Sequence, residues 1–203
     1  MNKKISRTLL NLLLAALILL LPACSQEDSQ DEKTEEVLLP ISVNGKEIKV
    51  GETTVQTLLD EGLEVSWVDE NYERITVDPA TELEANSYYT GGSIEVTDNM
   101  SFSISLVTDE EAVTLGEAVI ARLELQMAAE EDKSVLETIS FDGVPVTELT
   151  QKKAVEKYPD WTGNEVMWLC YGLEYKYDLN FDSSTGNLSA FTVARVYDVD
   201  WNG

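Results

Sequence analysis

The chain is predicted to adopt an α+β fold: two related copies of a β-hairpin, a short helix and an antiparallel β-meander, with the sheet packed on the short helices. Three observations predict it. Ile41-Ser42-Val43-Asn44-Gly45 returns 98 residues later as Ile139-Ser140-Phe141-Asp142-Gly143. Each copy continues into a short stretch with apolar residues at helical spacing. Each then runs into long stretches that alternate apolar and polar residues with period two, which buries one face of an antiparallel strand.

Ahead of these copies stands a targeting segment. Lys3, Lys4 and Arg7 precede an apolar run from Leu9 to Leu21 that only Asn11 interrupts. Thirteen helical residues span about 20 Å, short of a hydrocarbon core of about 30 Å, so the run reads as a signal-peptide core and not as a membrane span. It ends in Leu21-Pro22-Ala23-Cys24. That sequence resembles the bacterial lipobox, with a branched apolar residue three before the cysteine and a small residue one before. The resemblance implies cleavage on the amino side of Cys24 and diacylglycerol on its thiol. Two acyl chains anchor durably where one attaches only marginally. The expected location is therefore the extracytoplasmic face of a cell membrane, with the bilayer as first partner. Ser25 to Glu36 follows with six acidic residues, one lysine and no apolar side chain, a composition that stays extended by self-repulsion. The expected organisation is a signal peptide (1–23), a lipidated cysteine and acidic tether (24–37), a first α+β repeat (38–132) and a second (133–203).

Within each repeat the elements follow from local chemistry. Asn44-Gly45 and Asp142-Gly143 tolerate positive φ and so form tight hairpins, closed by Ile48 and Val50 in one copy and Val144 and Val146 in the other. Thr53 and Gln56 read as a capping box for a helix with Val55, Leu58 and Leu59 on its apolar face, ended by Gly62. In the second copy Thr150 caps a helix whose face is Ala154, Val155 and Tyr158, and Pro159 stops it. Phe102, Ile104 and Leu106 alternate with serines, and Tyr175, Tyr177, Leu179 and Phe181 alternate with polar residues. Each such strand leads into a second long one, Glu117 to Met127 and Asn187 to Val199, the latter through a loop at Asp182 to Gly186.

The stretch Phe141 to Pro159 and the pattern Tyr175-x-Tyr-x-Leu-x-Phe-Asp-x-x-x-Gly-Asn-Leu188 carry a resemblance to uncharacterised lipoproteins of Gram-positive, clostridial-type bacteria. The second copy is more distantly similar to the helix-plus-sheet repeat of the beta-lactamase-inhibitor-protein and SmpA/OmlA group. It departs from that group in having Tyr158-Pro159-Asp160 where a Gly-x-Pro usually follows the helix. The resemblance implies a non-catalytic binding or assembly role.

Composition narrows the chemistry. Lys and Arg total 14 against 38 Asp and Glu; without the leader's three cations, 11 remain against 38 carboxylates. A surface this anionic repels phosphate backbones, so nucleic acid is not an expected partner. The chain has no histidine, which removes Ser-His-Asp and Cys-His sites and the commonest general base. No cofactor is expected, and Cys170, in the apolar run Val166 to Tyr171, reads as a buried small hydrophobe. The expectation is a non-enzymatic interaction module that meets another envelope protein. The alternative is a domain binding a small molecule or calcium outside the cell. Asp198-Val-Asp200-Trp-Asn202-Gly203 matches the first six places of an EF-hand loop, but the sequence ends before the glutamate such a loop needs at its twelfth. Among the aromatics, Trp161, Tyr88 and Tyr89 lie in loop-like surroundings and are the candidate binding residues, as a stacking platform for a sugar or peptide.

Replacing Cys24 by alanine tests the anchor. In cells making the full chain, the variant is expected to lose labelling by radioactive palmitate and to leave the membrane fraction; a C24A protein that still labels would refute lipidation at this residue.

Overall fold

The computed structural model describes residues 37–69, 71, 73–127 and 132–197; Cys24, the leader and the tether lie outside them, as do Asp198, Asp200 and Asn202. The first half opens with the expected hairpin, β1 (Ile41–Val43) and β2 (Lys46–Ile48), turned by Asn44 at φ 51° and Gly45 at φ 75°. Helix α1 (Val55–Asp60) follows, with Val55 and Leu58 buried. Its cap is Thr54 rather than the expected Thr53. Thr54 is held extended by a bridge to Val119, and its hydroxyl accepts from the Thr57 amide at 3.2 Å. Thr53 is occupied elsewhere, since its hydroxyl accepts from the Lys49 amide at 2.9 Å and closes the turn after β2. At the other end Gly62 (φ 74°) donates to the Leu59 carbonyl and Leu63 to that of Leu58, a Schellman ending. Seven strands follow: β3 (Glu64–Val68), β4 (Arg74–Thr76), β5 (Glu82–Leu83), β6 (Tyr88–Thr97), β7 (Met100–Val107), β8 (Val113–Thr114) and β9 (Val119–Gln126).

The second half begins with a single helical turn, α2 (Lys133–Leu136). Its hairpin is β10 (Ile139–Phe141) and β11 (Val144–Pro145), turned by Asp142 at φ 47° and Gly143 at φ 73°. Helix α3 (Gln151–Lys157) is capped by Thr150, as the sequence predicts, and Thr150 is held by a bridge to Asn187 as Thr54 is by one to Val119. Then come β12 (Thr162–Gly163), β13 (Met167–Tyr171), β14 (Tyr175–Phe181) and β15 (Leu188–Arg195). In β14 the buried residues are Tyr175, Tyr177, Leu179 and Phe181, the alternation read from the sequence.

The two halves meet twice, both times antiparallel. β1 pairs β10, with Ile41 opposite Phe141, giving a four-stranded sheet ordered β11-β10-β1-β2. β9 pairs β15, with Leu125 opposite Phe191 and Leu123 opposite Val193, giving a nine-stranded sheet ordered β12-β13-β14-β15-β9-β7-β6-β3-β4. A small sheet of β5 and β8 completes the set. One continuous apolar cluster fills the space between the two larger sheets, with Phe102, Leu123, Leu125, Leu179 and Phe191 from one side and Ile41, Ile48, Ile139 and Phe141 from the other. The large sheet therefore packs mainly on the four-stranded sheet and not on the short helices alone. A seven-residue helix is about 10 Å long, whereas nine strands span about 38 Å, so the helices cannot cover the face.

The loop between β14 and β15 is built on one carboxylate. Asp182 Oδ1 accepts from the Ser184 hydroxyl at 2.6 Å, the Thr185 amide at 2.8 Å, the Thr185 hydroxyl at 2.9 Å and the Ser184 amide at 3.0 Å. These donors, the Ser184 hydroxyl first, lower its pKa from 3.8 to about 2. A depressed carboxylate pKa contributes stability that is complete above the unfolded value, about 4, and is lost as the pH falls through the folded one. The melting-temperature difference between wild type and Asp182→Asn is therefore expected to be constant above about pH 5 and to close towards about pH 2. A difference independent of pH would show that the ionised form does not hold the loop.

Candidate functional site

Three places in the fold bear on function, and the sequence pointed at only one of them. Trp161 lies in the turn between α3 and β12, where its amide donates to the Tyr158 carbonyl at 3.2 Å. Its half-buried ring lies in an aromatic cluster. Tyr158 stacks on one neighbouring plane at 4.4 Å between centroids and Tyr177 at 5.3 Å, while Phe141 meets all three rings edge-on at 6.0 to 6.5 Å. Two nearly parallel rings, 16° and 19° from its plane, compete for the surface a sugar or peptide would stack on. The ends of the stack are tied down as well. The Tyr158 hydroxyl donates to Asp142 Oδ2 at 3.0 Å, and Lys157 pairs with the same oxygen at 2.8 Å. Burial, and then the Asp142 charge, push the Tyr158 pKa upward. Trp168 Nε1 donates to the Tyr158 carbonyl, and the Tyr177 hydroxyl accepts from the Leu39 amide, each near 3.0 Å. The stack thus joins hairpin, helix and entering chain.

Tyr88 and Tyr89 stand on β6, six places from β12 in the sheet order, so the structure does not bring them together with Trp161. Tyr89 is half-buried against the core, and its hydroxyl accepts from the Glu84 amide at 2.7 Å. Tyr88 is 43% exposed and remains accessible. Cys170 is half-buried on β13 and packs against the core cluster. Asp178 and Asn180 share one face of β14, whereas Asp182 has turned into the loop. Among the described residues no three of Cys, Asp and Glu are grouped to hold a metal ion.

The second place is the far face of the nine-stranded sheet. Register carries one row across every strand, from β4 to β12: Thr76, Ser66, Ser93, Ser103, Glu124, Thr192, Asp178, Leu169 and Thr162. Eight of the nine are small or charged; Thr76, Ser103 and Thr162 are exposed, Ser66 is buried and the other five are half-buried. Short polar contacts order this face. Ser66 donates to Glu95 Oε1 and Arg74 pairs with Glu95 Oε2, both at 2.7 Å, and Arg122 pairs with Glu124. The Tyr171 hydroxyl bonds Asp178, which raises the tyrosine's pKa. The other Asp178 oxygen is occluded and has no hydrogen-bond partner.

The third place is a cleft of about 990 Å³ at the β4 end of the sheet, between the β1–β2 turn, the end of α1, the start of β3, β4, and the β6–β7 turn. Seven of its fifteen lining residues fall within Leu63 to Tyr89, where the sequence has no clean period. The one readable signal was Arg74, the sole cation in that stretch.

If the stack is structural, Trp161→Ala should cost about 2–3 kcal/mol in urea unfolding, somewhat under the range for a fully buried tryptophan; a loss below about 0.5 kcal/mol would leave the ring available for another role. No family model, no curated protein and no solved structure matches this chain.

Proposed function

We propose that the chain is a lipoprotein, anchored through Cys24 at the extracytoplasmic face of a membrane, whose folded part is a non-enzymatic protein-interaction or assembly module. We further propose that this part arose by duplication of a hairpin–helix–meander unit. Support for duplication comes from the paired joints, β1 with β10 and β9 with β15, and from the matching bridges of Thr54 and Thr150.

The interaction reading rests on one observation, the mostly polar far face of the large sheet. Packing one face of a sheet and leaving the other to solvent is ordinary for antiparallel strands. A nine-strand face is less ordinary: at about 4.8 Å per strand and about 20 Å of strand length, it offers on the order of 800 Å². That is the area one partner contributes to a standard protein–protein interface. Serines and threonines recur along it, and the longer Arg74, Glu95, Arg122 and Glu124 are already held in ion pairs, so less side-chain entropy remains to be lost when a partner docks.

Crosslinking in the native cells tests this. The tagged full chain is expected to capture one stoichiometric envelope protein, to lose it in Cys24→Ala, and to lose it in Ser103→Arg, which plants a long cation in the middle of the face. Ser103 is exposed, so this variant should melt as wild type does. Capture of nothing by wild type would sink the module reading.

A further inference from the structure

We infer that the cleft beside β4 receives an extended, cationic segment of a partner protein, which adds to β4 as a tenth strand; this rests on the interaction reading above and deepens it. The backbone makes the first part of the argument. Across the β3–β4 hairpin the Asp69 amide donates to the Glu73 carbonyl at 2.9 Å. Hydrogen-bonded and non-bonded pairs alternate along antiparallel strands. With Val68 opposite Arg74 and Trp67 opposite Ile75, the next bonded pair is therefore Trp67 with Ile75. Arg74 and Thr76 then turn their N–H and C=O groups away from β3. β4 is the last strand of the sheet, so these four groups face outward. β4 has neither proline nor lysine, its register shows no bulge, and all three of its residues are exposed. Proline, lysine and bulges are among the devices by which edge strands refuse a further strand; β4 keeps two others, its three-residue length and Arg74, whose charge Glu95 answers.

Side chains make the second part. Ile75 is 47% exposed, and the adjoining cleft adds Leu59, Leu63 and Val96, apolar contacts for alternate residues of an incoming strand. Strand addition draws affinity from the main chain and selectivity from such pockets.

Charge makes the third part and chooses the occupant. Both cations of the cleft are engaged, Arg74 by Glu95 and Lys46 by the Glu61 carbonyl. Lys46 keeps its charge against a neutral carbonyl, but Glu64 and Asp98 on the rim outnumber it and leave the cleft net negative, within a chain of net charge −24. A second copy of so acidic a chain is repelled; a lysine- or arginine-bearing strand is attracted.

The probe is a fluorescein-labelled peptide of seven alternating lysines and valines, titrated against the detergent-solubilised full chain by fluorescence anisotropy. Saturable binding is expected, about tenfold weaker for Ile75→Lys and for Asp98→Lys, with a glutamate–valine peptide at least that much weaker than the lysine one. Both substituted positions are exposed, and unchanged melting confirms that each variant folds. Bound peptide is expected to slow amide exchange at Arg74 and Thr76 and not at β13 or β14. Equal binding of the two peptides, protection elsewhere, or affinity untouched by both variants would overturn the inference. So would sedimentation showing a dimer that Ile75→Lys dissociates, since the occupant would then be a second copy. If the crosslinked partner is lost with Ser103→Arg yet kept with Ile75→Lys, the edge inference falls and the interaction module stands. If the peptide seats on β4 while no partner is captured, the reverse holds.

Discussion

The pairing of β9 with β15 is the contact on which the rest of the molecule depends. It joins two meanders, four strands on one side and five on the other, into one sheet. Its register sets Leu125 opposite Phe191 and Leu123 opposite Val193, so both halves present their apolar face to the same side. A slip of one residue would turn the whole apolar set of one half towards solvent. The pairing of β1 with β10 repeats the arrangement in the layer beneath, and Phe141 at that joint meets Phe191 edge-on at 5.6 Å. The two joints are thus packed against each other, and neither half has a core of its own to retreat into.

Charge explains how the turns are held. With 38 carboxylates, compaction works against self-repulsion, and the described cations answer it both in ion pairs and at the backbone. Three of them donate to main-chain carbonyls where the chain reverses: Lys46 to Glu61 at the end of α1, Lys157 to Asp142 in the second hairpin, and Arg195 to Gly51 after β2. Gly51, at φ 89°, lies so close to the Arg195 side chain that a β-carbon there would collide with it. These contacts link elements distant in sequence, Arg195 and Gly51 being 144 residues apart. A cation at a helix C-terminus also answers the partial negative charge of the unbonded carbonyls.

Local chemistry was legible wherever one residue type dictates a backbone state. Asn44-Gly45 and Asp142-Gly143 take positive φ, as their residue types allow, and the aromatic alternation of β14 is buried as read. Thr53 and Thr54 show where legibility ends. Either threonine can cap a helix, and the choice fell to Thr54 because Val119, 65 residues away, holds it extended. Trp161 shows the same limit at a candidate site. Its neighbours in sequence suggest an open loop, yet Tyr158 and Tyr177 both stack on it. The stretch from Leu63 to Tyr89 was the least readable because its strands are short, its β3–β4 turn is closed by Asp69 without a glycine, and β3 takes its other register from β6.

The sequence by itself determined the hairpin turns, the helix stops, the alternation of the long strands, the acidity and the absence of histidine, because each is a property of one residue or of near neighbours. Tertiary structure alone decided which strands lie side by side, that the halves share one core between two sheets, that one mostly polar row runs across all nine strands, and that β4 ends the sheet with its backbone turned outward. Those outcomes depend on hydrogen bonds and apolar contacts between residues far apart in the chain, whose pairing no local pattern encodes.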